Sequence, residues 1–198
     1  MLGQILKVIR VRHWIKNLFV FIPVFISGNI SNFELLLSSL IIFLAFSFTA
    51  SSIYIINDLA DLKRDQAHPI KKFRPLPSGN LSLFSALICV AILILGTLFT
   101  LSLVNFMGWQ VILIYFFINI AYSFYIKHIA ILDIVSISSG FVLRVQAGLA
   151  VTELNGSFWL IALTFTLSML LAIGKRKGEF KNKDMEITMS NVMHLRDF

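Results

Sequence analysis

Three aspartates and an amide fall within one short stretch, Asn57-Asp58-Leu59-Ala60-Asp61-Leu62-Lys63-Arg64-Asp65, and His68-Pro69, Lys71-Lys72 and Arg74-Pro75 follow it closely. On a helix turning about 100° per residue, Asn57, Asp61, Asp65 and Asp58 lie at relative angles of about 0°, 40°, 80° and 100°, so all four share one face. Carboxylates crowded in this way repel one another and are costly beside hydrocarbon. A divalent cation removes the conflict, and Mg²⁺ binds through one or two carboxylates together with substrate phosphates. Asp58, Asp61 and Asp65 are therefore the candidate metal ligands, with Asn57 assisting. Lys71, Lys72 and Arg74 are placed to meet the remaining phosphate charge, lysine as a point charge and arginine by a fork of donors. The stretch reads as a diphosphate site held through Mg²⁺; the bland alternative is a solvated helix end with intrahelical Asp to Lys pairs.

The elements that position these groups belong to a membrane. Of the 198 residues 58% are hydrophobic and only 14% are charged, where a soluble domain has about 25% charged. Apolar runs of the roughly 20 residues that a bilayer core demands recur along the chain. Residues 35–56 carry no charge, and a helix there is expected to continue through the acidic stretch to Asp65. Two further spans fit between Pro75 and Ile126, joined near residues 105–108, a fifth covers 131–151 and a sixth 157–174. Residues 18–30, short and interrupted by Pro23, are expected as the first span. Before them, residues 1–17 form a basic, helical segment suited to the membrane surface, and residues 175–198 form a polar tail unlike a packed ending. The expectation is an all-α polytopic bundle of about six spans in a single domain.

Cations mark the sides of the membrane. The N-terminal segment holds four Lys or Arg, the loop after the second span five, the loop after the fourth Lys127, and the tail six, while the alternate loops hold only Glu34 and Glu153. The positive-inside bias then places the N-terminus, the acidic stretch and the tail in the cytoplasm, in a plasma or inner membrane. A net charge of +7 does not signal nucleic acid, because the cations flank apolar spans instead of lining one soluble face. Cys89 is single and sits within an apolar run, so no disulfide forms within the chain. The basic start lacks a small-residue cleavage site and is read as a retained segment.

The fifth span adds a polar stripe. Asp133, Ser136, Gly140, Arg144 and Gly148 fall within about 120° of one another, a pattern that faces a bundle interior. Arg144 is a candidate phosphate ligand and Asp133 a candidate partner for a sugar hydroxyl or the metal; the alternative is helix packing around a buried charge. Lys127, near Tyr122 and Tyr125, either binds phosphate or anchors a helix among headgroups. Trp109 and Trp159 are expected as interfacial anchors on the opposite side. His13 and His68 have no companions at zinc-ligand spacing, so no zinc site is expected.

The pattern Asn57-Asp58-x-x-Asp61-x-x-x-Asp65 followed by Lys71-x-x-Arg74-Pro75-x-x-Ser78-Gly79 resembles the first motif of the UbiA superfamily of intramembrane prenyltransferases. A narrower similarity is to its decaprenyl-phosphate phosphoribosyltransferase branch. It rests on Arg10-x-x-x-Trp14-x-Lys16-Asn17, in which Val11 stands for the branch's proline, and on His68-Pro69. Leu132-Asp133, Gly140 to Arg144 and Ala147-Gly148 also match, as do Gly174-Lys175-Arg176 and Glu179. The resemblance implies a bundle, usually of nine spans, with a central cavity open to the cytoplasm and the lipid. It implies Mg²⁺-dependent transfer of phosphoribose from a phosphorylated donor to a polyprenyl phosphate. Asp58, Asp61 and Arg74 would be catalytic, and Lys16, Asn57, Lys71, Lys72, Lys127, Asp133 and Arg144 would bind substrate. Transfer of a prenyl group to an aromatic acceptor is the second reading; residues 174–179 are basic where those members carry a second aspartate motif. A third reading is a lipid-phosphate binding protein without catalysis. Because about six spans stand here against the family's nine, a shortened and weakly active or inactive chain is expected.

Overall fold

A computed structural model describes residues 2–126 and 129–194, with side chains placed for residues 3–126, 129 and 131–178. It is helical throughout: α1 (Leu2–Ile9), a 3₁₀ segment (Val11–Phe21), α2 (Ile22–Ile26), α3 (Phe33–Ala60), α4 (Leu62–Gln66), a 3₁₀ turn (Lys71–Phe73), α5 (Leu83–Leu101), α6 (Phe106–Phe124), α7 (Ala130–Thr152) and α8 (Phe158–His194). Helices α3, α5, α6, α7 and α8 are long and apolar enough to cross a membrane.

Helix α3 is the axis of the bundle. It packs against α5, α6, α7 and the 3₁₀ segment, and its most apolar window is 61% buried, against 22% for α5 and α6 and 17% for α8. A helix enclosed on several sides needs apolar or small residues all round, which explains its charge-free length. Asn32 starts it by accepting hydrogen bonds from the backbone N–H groups of Glu34 and Leu35. Ser82 and Asn105 cap α5 and α6 in the same way. The core joins Ile42 and Phe46 of α3 to Ile112 and Tyr115 of α6, Leu143 and Ala147 of α7, and Val20. A second cluster, Val8, Ile55, Leu76, Leu81, Ala86 and Leu93, seats α1 and the loop before α5 against α3 and α5.

Three expectations change. The first span is not an α-helix over residues 18–30: the chain is 3₁₀ from Val11 to Phe21 and α-helical only from Ile22 to Ile26. Its contacts with α3 run from Arg10 at Asp58, through Trp14 at Ser51 and Asn17 at Ser47, to Phe21 at Phe43, so it lies antiparallel along that helix. A 3₁₀ helix stacks every third residue on one side, and Trp14, Asn17 and Val20 are the positions turned inward. The basic N-terminal segment is likewise not one helix, because α1 stops at Ile9 and Arg10 adopts the left-handed conformation, φ 57°. The helix carrying the acidic stretch breaks at Asp61, with φ −88° and ψ 6°, before α4 resumes. Beyond Gly174 the backbone of the polar tail continues the same helix α8 as far as His194.

Candidate active site

The chain kinks at Asp61, yet Asp61 N–H still donates to the Asn57 carbonyl and Asp65 N–H to the Asp61 carbonyl, so Asp58 and Asp65, two turns apart, face one point. Both are almost wholly buried, at 2% and 1% exposure. One guanidinium nitrogen, Arg74 Nη1, lies 3.1 Å from Asp58 Oδ1 and 2.8 Å from Asp65 Oδ2. Arg10 Nη2 donates to the same Asp58 oxygen at 2.7 Å, and Lys71 Nζ stands 3.8 Å from Asp65 Oδ1. Buried carboxylates stay ionised only with such partners. The guanidinium of Arg10 also lies over the ring of Tyr54, 4.7 Å from its centre.

The loop that delivers Arg74 is held by His68. Its Nδ1 accepts hydrogen bonds from the backbone N–H groups of Ile70 and Lys71 at 3.2 and 3.3 Å, while Arg74 N–H donates to the Lys71 carbonyl at 3.0 Å. A ring nitrogen thus does what an N-cap oxygen does at a helix start. Pro75 and Pro77 follow, and Leu76 anchors the far side in the second apolar cluster.

The two convergent carboxylates are hard oxygen donors, and the cationic nitrogen between them stands where a divalent ion would. The donor set therefore fits Mg²⁺ held by two carboxylates plus phosphate oxygens. Among the described residues no three carboxylate, imidazole or thiol groups come together to hold a metal. Asp61 lies half-buried at the helix break, Asn57 precedes Asp58 on α3, and exposed Lys72 lies above the ring of Phe73.

Asp133 and Arg144 do not join this cluster. Asp133, fully buried, accepts from Tyr122 O–H at 2.6 Å and from Arg176 Nε at 2.7 Å, a tie between α6, α7 and α8. Arg144, eleven residues further along α7 and so about 16 Å away by helical rise, donates to Asn17 Oδ1 at 2.8 Å, the Gly140 carbonyl at 2.6 Å and Tyr115 Oη at 3.1 Å. The rings of Phe46, Tyr115 and Phe141 surround its guanidinium at 5.1 to 5.7 Å. Lys16 and Lys175 stand close enough for Lys16 to be repelled by Arg144 and by Lys175. A second group of cations thus comprises buried Arg144 and exposed Lys16 and Lys175; separately, an apolar hollow of about 330 Å³ lies between α6, α7 and α8, lined by Ile118, Val142, Leu143, Phe158 and Phe165. Lys127 lies outside the described residues. Trp109 Nε1 donates to the Leu101 carbonyl at the end of α5 at 2.7 Å; Trp159 is exposed.

Reading the sequence alone assigns Arg10, Tyr122 and Arg176 no such contacts. Arg10 and Asp58 are 48 positions apart and Arg176 and Asp133 are 43 apart, so spacing carries no signal for either pair.

Known proteins resemble this chain in sequence and in fold. The family model of the UbiA prenyltransferase family matches residues 18–182. A decaprenyl-phosphate phosphoribosyltransferase of Mycolicibacterium smegmatis is 34% identical over 190 residues, covering 91% of this chain and 58% of that protein. The enzyme of the same name from Mycobacterium tuberculosis is 30% identical over 183 residues, covering 90% of this chain and 61% of its own length. The chain thus spans about three fifths of each. In fold it resembles a UbiA homolog from Archaeoglobus fulgidus bound to DMAPP and Mg²⁺, with a TM-score of 0.72 at 21% identity, over 87% of this chain and 62% of that one.

Proposed function

Because the chain belongs to the UbiA prenyltransferase family, we propose that it serves the transfer of phosphoribose from phosphoribosyl pyrophosphate to a polyprenyl phosphate at the cytoplasmic face of the inner membrane. The observation that carries this is the convergence of buried Asp58 and Asp65 on one cation position under a layer of Arg10, Arg74 and Lys71. Such a layer attracts a donor rich in negative charge. The second group, Lys16, Arg144 and Lys175, supplies a separate field for a second anionic substrate. Two anionic substrates suit a phosphate acceptor better than a neutral aromatic one. The relatives named as decaprenyl-phosphate phosphoribosyltransferases support the same choice.

In this reading Asp58 and Asp65 hold Mg²⁺ on the donor diphosphate, with Asp61 and Asn57 at its margin. The ion, when bound, neutralises charge on the diphosphate and makes it a better leaving group. Arg74, Lys71 and Lys72 bind phosphate oxygens and stabilise the charge that develops as pyrophosphate departs. An oxygen of the lipid phosphate forms the new bond to ribose C1 as the bond from C1 to the diphosphate oxygen breaks. The lipid phosphate is already anionic, so no side chain needs to remove a proton. Tyr122 and Arg176 hold Asp133, and through it α8, so that Lys175 keeps its place near Lys16.

The test is to incubate membranes containing the chain with phosphoribosyl pyrophosphate labelled in the ribose, polyprenyl phosphate and Mg²⁺, and to count label in the lipid fraction. Incorporation above that of an Asp58→Asn control supports the reading. Label equal to the control overturns it.

A further inference from the structure

Arg10 stands apart from the other cations of the site. It comes from the N-terminal segment, not from the loop that carries Lys71 and Arg74, and it approaches Asp58 from the opposite direction in the chain. Its backbone is left-handed, φ 57° and ψ 46°, a conformation that a residue with a side chain rarely adopts and that surrounding structure must hold. That support is present. Val8 is 1% exposed within the second apolar cluster, the Ile9 carbonyl accepts from Ser51 Oγ at 2.8 Å, and the Arg10 carbonyl accepts from His13 N–H at 2.8 Å. The fold thus fixes the root of Arg10 while its guanidinium rests on Tyr54.

A single carboxylate oxygen offers two lone pairs, and Asp58 Oδ1 already receives both Arg10 and Arg74. A metal ion gains that oxygen only as a guanidinium gives way. The exposed layer is also the cationic one: the side chain of Arg10 is 22% exposed and that of Arg74 33%, whereas that of Asp58 is 3% exposed. An arriving diphosphate therefore meets the arginines before either reaches the acids.

From this arrangement we infer that Arg10 is an exchange ligand: it occupies Asp58 while the site lacks substrate and passes to the donor's diphosphate when a divalent cation takes its place on that oxygen. The inference rests on Asp58 and Asp65 being the metal-holding pair. Tyr54 makes the transfer short, because the guanidinium stays over the ring while its terminal nitrogens turn from carboxylate to phosphate, a group that its fork of donors matches equally well. Arg10 then has two opposed effects, competing with the metal and helping to bind the diphosphate.

Those opposed effects give the test. The purified chain in lipid nanodiscs is titrated with Mn²⁺, followed by the electron paramagnetic resonance of the free ion, and then with inorganic pyrophosphate at fixed Mn²⁺. Arg10→Gln is expected to tighten Mn²⁺ binding severalfold and to weaken pyrophosphate binding by about tenfold or more, the scale of one lost charge-assisted pair. Arg10→Lys, which keeps the charge without the fork, leaves Mn²⁺ affinity within about twofold and weakens pyrophosphate severalfold; it carries the test should Arg10→Gln fail to fold. Both affinities falling together in Arg10→Gln, or neither changing, overturns the inference and leaves Arg10 a structural tie. Absence of any wild-type Mn²⁺ binding that Asp58→Asn abolishes overturns the metal reading beneath it, and the exchange with it.

Discussion

Asp58 and Asp65 are seven positions apart, yet they meet on one nitrogen of Arg74, and the chemistry assigned to the site depends on that meeting. Helical angles make the shared face legible, but not that the helix breaks at Asp61 or that two arginines fill the space between the acids. A lone sequence shows which residues carry charge; which charge answers which is settled by tertiary contact. Asp58→Asn and Asp65→Asn are expected to lower transfer by about 10²-fold or more, the scale of losing one preorganised electrostatic contact, while leaving the melting temperature nearly unchanged because the arginines reach solvent. Rates and calorimetry on the same preparations check this. His68 is the quieter example, a ring nitrogen acting as a cap. His68→Ala should speed hydrogen exchange at Ile70 and Lys71 by about fivefold, as loss of a cap contributing about 1 kcal/mol predicts. His68→Asn, which caps through its own oxygen, should restore slow exchange; equal exchange in both variants would remove His68 from the role.

Among the elements, α3, α5, α6, α7 and α8 are visible in the sequence as charge-poor runs, because burial or lipid contact on every side removes charge from a span. The 3₁₀ segment is not visible, since its period of three becomes meaningful only with the serines of α3 beside it. Asn17 Nδ2 donates to Ser47 Oγ at 2.9 Å and Trp14 Nε1 to Ser51 Oγ at 3.0 Å. Gly148 of α7 closes the other side: a Cβ there would lie 2.1 Å from the Val20 carbonyl oxygen. Gly148→Ala forces the two backbones apart and is expected to destabilise by about 1–3 kcal/mol or more, read as a fall in melting temperature. The polar stripe on α7 is legible, but its roles are not. Asp133 is a joint between helices, so Asp133→Ala, which leaves Tyr122 without its acceptor while the part-exposed Arg176 reaches solvent, should cost about 1–3 kcal/mol. An unchanged melting temperature together with weaker donor binding would instead make Asp133 a ligand.

As a whole, the molecule is an integral membrane bundle built around α3, with Asp58 and Asp65 at one end of that helix and its apolar faces on α5, α6 and α8 turned outward. Leu163, Leu167, Leu170 and Leu171 of α8 are all largely exposed, as residues facing hydrocarbon are. Six spans are expected and, among the described residues, five helices have a span's length and composition; the segment that differs is the one drawn out as 3₁₀ along α3. The chain covers 58% and 61% of the phosphoribosyltransferases it resembles. Donor choice is the property on which the functional account turns, and one experiment addresses it directly. Membranes containing the chain, and matched membranes with Asp58→Asn, are given polyprenyl phosphate with ribose-labelled phosphoribosyl pyrophosphate, or an aromatic acceptor with labelled prenyl diphosphate. The account predicts lipid-linked label from phosphoribosyl pyrophosphate alone, removed by Asp58→Asn; product from prenyl diphosphate, with none from phosphoribosyl pyrophosphate, would contradict it.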